Sequence, residues 1–163
     1  MTATQLVHKF KMLNAYGPAV PSTAAPQYVS LKNYNHLTIV LNVLNATTVT
    51  GSAVTLLQAT AVAGTSAKAL AFTKMWANTD AAAGDTLTET AVTSNTFTTG
   101  TTNSKRLQYV IEVDAEMLDL DNGFDCVRVA LADATAATIT ATYVLSGCRH
   151  AGNVAVLPSA IVD

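Results

Sequence analysis

Carboxylate side chains are concentrated in one short segment of the sequence, and they are the first candidates for chemistry. The acidic residues of this segment are Asp114, Glu116, Asp119, Asp121 and Asp125. Paired carboxylates can perform acid–base catalysis, and the pattern from Asp119 to Gly123 resembles the beginning of a calcium-binding loop. Such a loop needs its glycine one position later and a glutamate at the position that Ala130 occupies. We therefore favour a solvated turn, with a cation bound by Asp119, Asp121 and Asp125 as the alternative.

The cysteine and histidine side chains are spaced too widely to indicate a catalytic or metal-binding site. Nucleophilic catalysis needs a serine or cysteine beside a base, and zinc sites need clustered ligands. Cys126 and Cys148 do not form a Cys-x-x-Cys pair, and His8, His36 and His150 are far apart. We therefore predict buried free thiols, with a disulfide as the alternative. We predict no catalytic residue, no metal site, no cofactor and no enzymatic activity.

The composition is poor in charge for a chain of this length. Charged residues make up 12% of the 163 residues, against roughly 25% in an average soluble domain. Charge depletion is typical of interface centres, so we expect a surface that is largely covered by neighbouring protein. A neutral, hydroxyl-rich surface that is simply soluble is the alternative. The net charge of −2 argues against a nucleic-acid partner, and no apolar run reaches the ~18 residues of a membrane-spanning helix.

Hydrophobic and polar residues alternate over most of the chain after about residue 34. In residues 36–44, Leu37, Ile39, Leu41 and Val43 share one face, which predicts a half-buried strand. Similar short segments recur about every 8–14 residues with turn residues between them. The pattern predicts an all-β fold: an antiparallel, jelly-roll-like β-sandwich of seven to nine short strands over residues 31–163.

Two later segments give more detailed predictions. A single strand over residues 69–76 is predicted to place Leu70, Phe72 and Trp76 on one face and Met75 on the other. Residues 107–113 alternate clearly and predict another strand. Asp114 follows that strand and is placed to cap one helical turn.

The first 30 residues differ from the rest of the sequence. Pro18, Pro21 and Pro26 lie close together, and no periodic pattern runs through the segment. Proline fixes φ and lacks a backbone donor, which favours an extended N-terminal arm over residues 1–30. The apolar residues in this segment argue against free disorder. We expect the arm to lie either on its own domain or on an adjacent subunit.

Several segments resemble small proteins encoded in the structural regions of tailed phages and prophages. The resemblance is carried by Ala53–Trp76, Asp114–Gly123, Phe124–Val129 and Tyr143–Arg149, and it covers roughly residues 50–150. It implies a virion component, with capsid decoration or cement as the best assignment. The similar proteins bring no catalytic signature, so no functional residue is carried over from them. The N-terminal arm lies outside the resemblance.

The leading hypothesis is therefore a capsid decoration protein, assembled in the host cytoplasm, that acts in the virion. We expect it to bind the major capsid protein as a homo-oligomer, a trimer or a dimer, and to stabilise the lattice by mass action. The N-terminal arm and the exposed threonine- and alanine-rich strand faces are expected to make the contacts. The alternatives are a tail or head–tail connector component and a carbohydrate-binding β-sandwich.

Overall fold

The computed structural model describes residues 6–22, 26–149 and 157–162, and these residues form two antiparallel β-sheets. The larger sheet has six strands, in spatial order β1 (Lys11–Ala19), β11 (Ala137–Cys148), β3 (Tyr34–Asn45), β9 (Arg106–Asp114), β6 (Lys74–Asn78) and β7 (Thr88–Ala91). The smaller sheet has the order β2 (Val29–Ser30), β10 (Cys126–Leu131), β4 (Ala53–Ala59) and β5 (Lys68–Ala69), and β8 (Thr96–Thr98) also pairs with β4. Short 3₁₀ turns cover Leu6–His8, Ala115–Met117 and Leu120–Asn122.

One hydrophobic core joins the inner faces of the two sheets. Alternation along β3 buries Leu37, Ile39 and Leu41 completely. The same core cluster contains Val127 and Val129 of β10, which belongs to the other sheet. Each such side chain contributes roughly 1.5–3 kcal/mol when it is fully buried. The all-β class and the antiparallel sandwich that the alternation predicted are confirmed.

A buried tyrosine links the two sheets. Tyr143 of β11 is fully buried, and its Oη accepts a hydrogen bond from the backbone N–H of Val129 at 2.9 Å. The ladder between β10 and β2 pairs only Cys126 and Val127, so Val129 lies beyond its end. Burial raises the pKa of Tyr143 far above its usual value. The hydroxyl therefore stays neutral and satisfies the Val129 N–H on the side of β10 where β2 has ended.

The strands are more numerous than predicted in the described part of the chain. Eleven strands are present there, and four of them have only two to four residues. The difference arises in two places. Strands β1 and β2 lie in the segment that was predicted as an arm, and the one strand predicted over residues 69–76 is divided between β5 and β6.

The single strand predicted over residues 69–76 is wrong. The chain leaves the smaller sheet after Ala69 and enters the larger sheet at Lys74. Leu70 and Phe72 are buried in the connection between the sheets. Because the crossing resets the alternation, Met75 points into the core, whereas Trp76 is only half-buried on the other side.

The N-terminal segment also differs from the predicted arm. Lys11–Ala19 form the edge strand β1, which pairs with β11, so this part of the segment lies on its own domain. Leu13, Ala15 and Tyr16 pack against the core. The pairing is irregular, with register shifts between Asn14 and Ala19, and such irregular edges are where a sheet tolerates Gly and Pro.

Candidate functional site

The outward-facing side chains of the central strands of the larger sheet form a broad surface, called here the outer face. Inward residues of these strands are buried, so their alternating partners point away from the core. The outer face contains Thr38, Val40, Asn42, Leu44, Trp76, Gln108, Val110, Thr138, Thr140, Thr142 and Val144. Most of them are half-buried by their cross-strand neighbours, whereas Asn42 and Leu44 are exposed.

Two rows across the middle of the outer face carry no charged side chain. One row runs through Thr142, Val40, Val110 and Trp76, which are direct cross-strand partners from β11 to β6. The next row runs through Thr140, Asn42, Gln108 and Asn78. In this second row, Gln108 Nε2 donates a hydrogen bond to Asn42 Oδ1 at 3.1 Å. The amide pair therefore satisfies part of its own hydrogen bonding and leaves a neutral surface.

A shallow groove of about 490 Å³ opens at one end of the outer face. Its lining includes Leu44, Thr140, Pro18 and Ala81. Leu44, the next-to-last residue of β3, is 53% exposed. Arg106 also lines the groove and brings a positive charge to this end of the outer face.

The opposite end of the outer face carries a cluster of three ionisable side chains. His36 Nδ1 lies 2.7 Å from Asp114 Oδ1, and His36 Nε2 lies 2.5 Å from Glu112 Oε2. Thr38 Oγ1 donates a further hydrogen bond to Glu112 at 2.7 Å. Partial burial lowers the pKa of His36, but the hydrogen bonds and charges of Asp114 and Glu112 outweigh it and hold this pKa above 6.5. The cluster therefore favours a protonated imidazole between two carboxylates.

Sequence reasoning missed the acidic partners of His36, because Glu112 and Asp114 are 76 and 78 residues away. The available signal was the alternation of β3 and β9, which puts His36, Glu112 and Asp114 on the polar faces of their strands. Pairing these two strands in the observed register places His36 directly opposite Asp114.

The acidic residues of 114–125 are separated in the structure. Asp119 binds Lys68 Nζ and accepts from Asn122 Nδ2 at 2.9 and 3.0 Å, while Asp114 binds His36. The hydrogen bond from Lys68, helped by that from Asn122, lowers the pKa of Asp119. Among the residues that the structure describes, no three His, Cys, Asp or Glu side chains are arranged to hold a metal ion. Asp119 is therefore paired with the Lys68 ammonium and the Asn122 side-chain amide of the same chain.

Cys126 and Cys148 form no disulfide, as predicted, but their burial differs. Cys126 is fully buried, whereas Cys148 is half-buried at the end of β11. His8 lies in the 3₁₀ turn that precedes β1, and His150 lies outside the described residues.

Comparisons with protein families, with curated proteins and with solved structures find no significant match to this chain. Over the described residues, no helix is long and apolar enough to cross a membrane.

Proposed function

We propose that this protein is a non-enzymatic binding subunit that docks through the outer face onto another protein. The observation that carries the proposal is the pair of central rows, from Thr142 to Trp76 and from Thr140 to Asn78, without a charged side chain. Interface centres are depleted of charge and enriched in aromatic side chains, and Trp76 lies in one of these rows. Charged groups stand at the periphery, where solvated groups of an interface rim are expected.

The particular function that we propose is decoration of a phage capsid. The support for it is the resemblance of residues 50–150 to small virion proteins, together with the low charge of the whole chain. In this role the protein binds the major capsid protein, as a homo-oligomer, and stabilises the assembled lattice because it binds the lattice and not the free subunits. A tail or head–tail connector protein is the second assignment that the same resemblance supports.

A carbohydrate-binding module receives less support from the aromatic side chains. Such modules present several exposed rings as platforms for sugars. All ten aromatic residues lie within the described ranges, and four of the five tyrosines are buried: Tyr28, Tyr34, Tyr109 and Tyr143. Trp76 is half-buried beside the Lys74 ammonium, which lies 5.5 Å from the centre of its ring.

Substitution on the outer face tests the docking surface. The Thr142→Glu variant puts a charge into the uncharged centre, and Thr55→Glu puts the same charge on the outward side of β4 in the other sheet. Both threonines are half-buried strand residues, so the two variants are matched in chemistry and setting. We expect T142E to weaken co-sedimentation with purified capsids at least about tenfold, because a carboxylate is desolvated at an interface centre. We expect T55E to bind like the unchanged protein.

The location of the protein separates the two virion assignments. Quantitative mass spectrometry and immunogold labelling of purified particles measure copy number and position. A decoration protein covers the whole capsid lattice, whereas a connector occurs in few copies at one vertex. Failure of the unchanged protein to bind any particle would overturn both assignments, and equal binding by T142E and T55E would overturn the docking surface.

A further inference from the structure

The smaller sheet has a polar cavity on its outward side, away from the outer face. The cavity has a volume of about 310 Å³, and its lining includes Tyr28, Arg128, Gln27, Val62 and Ile161. This volume is at the lower end of the range of small-molecule sites in proteins. The apolar part of the wall continues into a small buried cluster of Tyr28, Ala59 and Cys126.

Two buried donors beside this cavity have no acceptor among the described residues. Tyr28 is 6% exposed, and its Oη makes no hydrogen bond within the described part of the chain. The Nε of Arg128 is also buried without a partner there. No carboxylate of the described residues forms an ion pair with Arg128. A buried phenol oxygen and a buried guanidinium nitrogen normally find acceptors, because their burial without one costs free energy.

The Arg128 guanidinium stacks on the ring of Tyr28. The Arg128 guanidinium carbon lies 4.7 Å from the centre of the Tyr28 ring, so the cation contacts the aromatic face. The other support for the ring is Gly64, where a Cβ atom would come within 2.9 Å of Tyr28 Cε2. Because Gly64 also has a φ of +83°, a residue with a side chain is disfavoured there and the ring keeps its place. The Tyr28 ring is therefore packed between Arg128 and Gly64.

We propose that this cavity binds a carboxylate group through Arg128 and Tyr28. A carboxylate has the planar, two-oxygen geometry that a guanidinium recognises, and it accepts from the phenol at the same time. One arginine neutralises its single charge, whereas a phosphate would keep excess negative charge in a site with one cation. The carboxylate comes either from a free, mainly apolar monocarboxylic acid or from an acidic side chain of another protein. This proposal does not depend on the docking role of the outer face.

Nuclear magnetic resonance of the ¹⁵N-labelled protein tests the proposal. The chain has three arginines, so the Arg128→Lys variant assigns the Arg128 Nε–H signal directly. One arm titrates 4-methylpentanoate as the free acid, and the other titrates N-acetylglutamate methylamide as the protein side chain. The uncharged controls are 4-methylpentanamide and N-acetylglutamine methylamide, at matched ionic strength.

We expect one of the two carboxylates to shift the Arg128 Nε–H signal with saturation, and its amide control to leave this signal in place. The arm that binds more tightly identifies the source of the carboxylate. We expect Arg128→Lys and Tyr28→Phe each to weaken binding about tenfold, because each removes a hydrogen bond to a charged group.

Three results would overturn the proposal. One is the absence of any carboxylate-dependent shift in the unchanged protein, which would leave the cavity filled by water only. Another is equal binding of the carboxylate and its amide control. The last is unchanged affinity in both variants, provided that their amide spectra show the native fold. The first two results come from the unchanged protein, so they hold even where a variant does not fold.

Discussion

The imidazole of His36 lies between two carboxylates that come from a distant strand. The pKa of His36 is above its usual 6.5 because Asp114 and Glu112 outweigh the effect of partial burial. A raised pKa in the folded state means that the protonated form stabilises the fold. This contribution is complete below pH 6.5 and is lost as the pH rises through the folded-state pKa.

We predict that His36→Gln lowers the free energy of unfolding more at about pH 6 than at about pH 9. The loss at the lower pH should not exceed about 1 kcal/mol, because the carboxylates are partly exposed and screened by solvent. Urea denaturation at both pH values measures it. His8→Gln is the control, since His8 forms no ion pair among the described residues. A loss that grows with pH would contradict the assignment.

The hydroxyl oxygen of Tyr143 forms a hydrogen bond that connects the two sheets. Replacing Tyr143 with Phe removes the acceptor for the buried N–H of Val129 and keeps the ring. We predict a loss of about 1–3 kcal/mol in the free energy of unfolding, because the donor is left unsatisfied. Tyr16→Phe is the matched control. Its Oη donates to the Val20 carbonyl at an exposed position, and its removal should change stability by less than about 0.5 kcal/mol.

At the scale of elements, the edge strand β1 depends on Gly17. This glycine has a φ of +67°, and a Cβ atom there would lie 2.2 Å from the carbonyl oxygen of Ile139 in β11. We predict that Gly17→Ala costs at least about 1–2 kcal/mol and loosens β1 from β11. Hydrogen exchange should then speed up at the amides of both strands. Gly84→Ala is the control, because its Cβ atom would meet nothing within 4 Å; faster exchange in this variant alone would contradict the prediction.

Alternation predicted the long strands well, because each of them faces the core on one side only. The predicted inward set of β3, from Leu37 to Val43, is buried, and so are Leu107, Tyr109 and Ile111 of β9. One helical turn was predicted after Asp114, and a 3₁₀ turn is present at Ala115–Met117 with Asp114 directly before it. Local sequence is sufficient for such elements, since the side-chain period reports directly on burial.

The elements that sequence did not predict are those fixed by distant partners. The run from Ala69 to Trp76 looks like one strand, but its two halves pair with different sheets. Strand β1 contains Gly17 and Pro18, which disfavour a central strand, and only its place at the edge beside β11 accommodates them. The outer face and the partners of His36 also depend on how distant strands pair. Local sequence patterns do not determine that register.

At the scale of the whole molecule, the two sides of the sandwich carry different chemistry. The larger sheet presents a neutral centre, with charged groups near its two ends and at its β6–β7 edge, where Lys74 pairs with Glu89. The smaller sheet presents Arg128 and Tyr28 beside a polar cavity. A protein with a neutral surface on one side and a cavity on the other can bind a protein partner and a second ligand without competition between them.

The low charge of the outer face predicts how binding to its partner responds to salt. Charge pairs between exposed groups weaken as ionic strength rises, because ions screen them beyond about 8–10 Å. The two central rows of the outer face contribute no such pairs, so the main favourable term is burial of neutral and apolar surface. We predict that the Kd for the partner changes less than about threefold between low and high salt. Calorimetry should also find a negative heat-capacity change on binding. A steep loss of affinity with salt would place the interface on the charged ends, at Arg106 or at His36, Glu112 and Asp114, and not on the centre of the outer face.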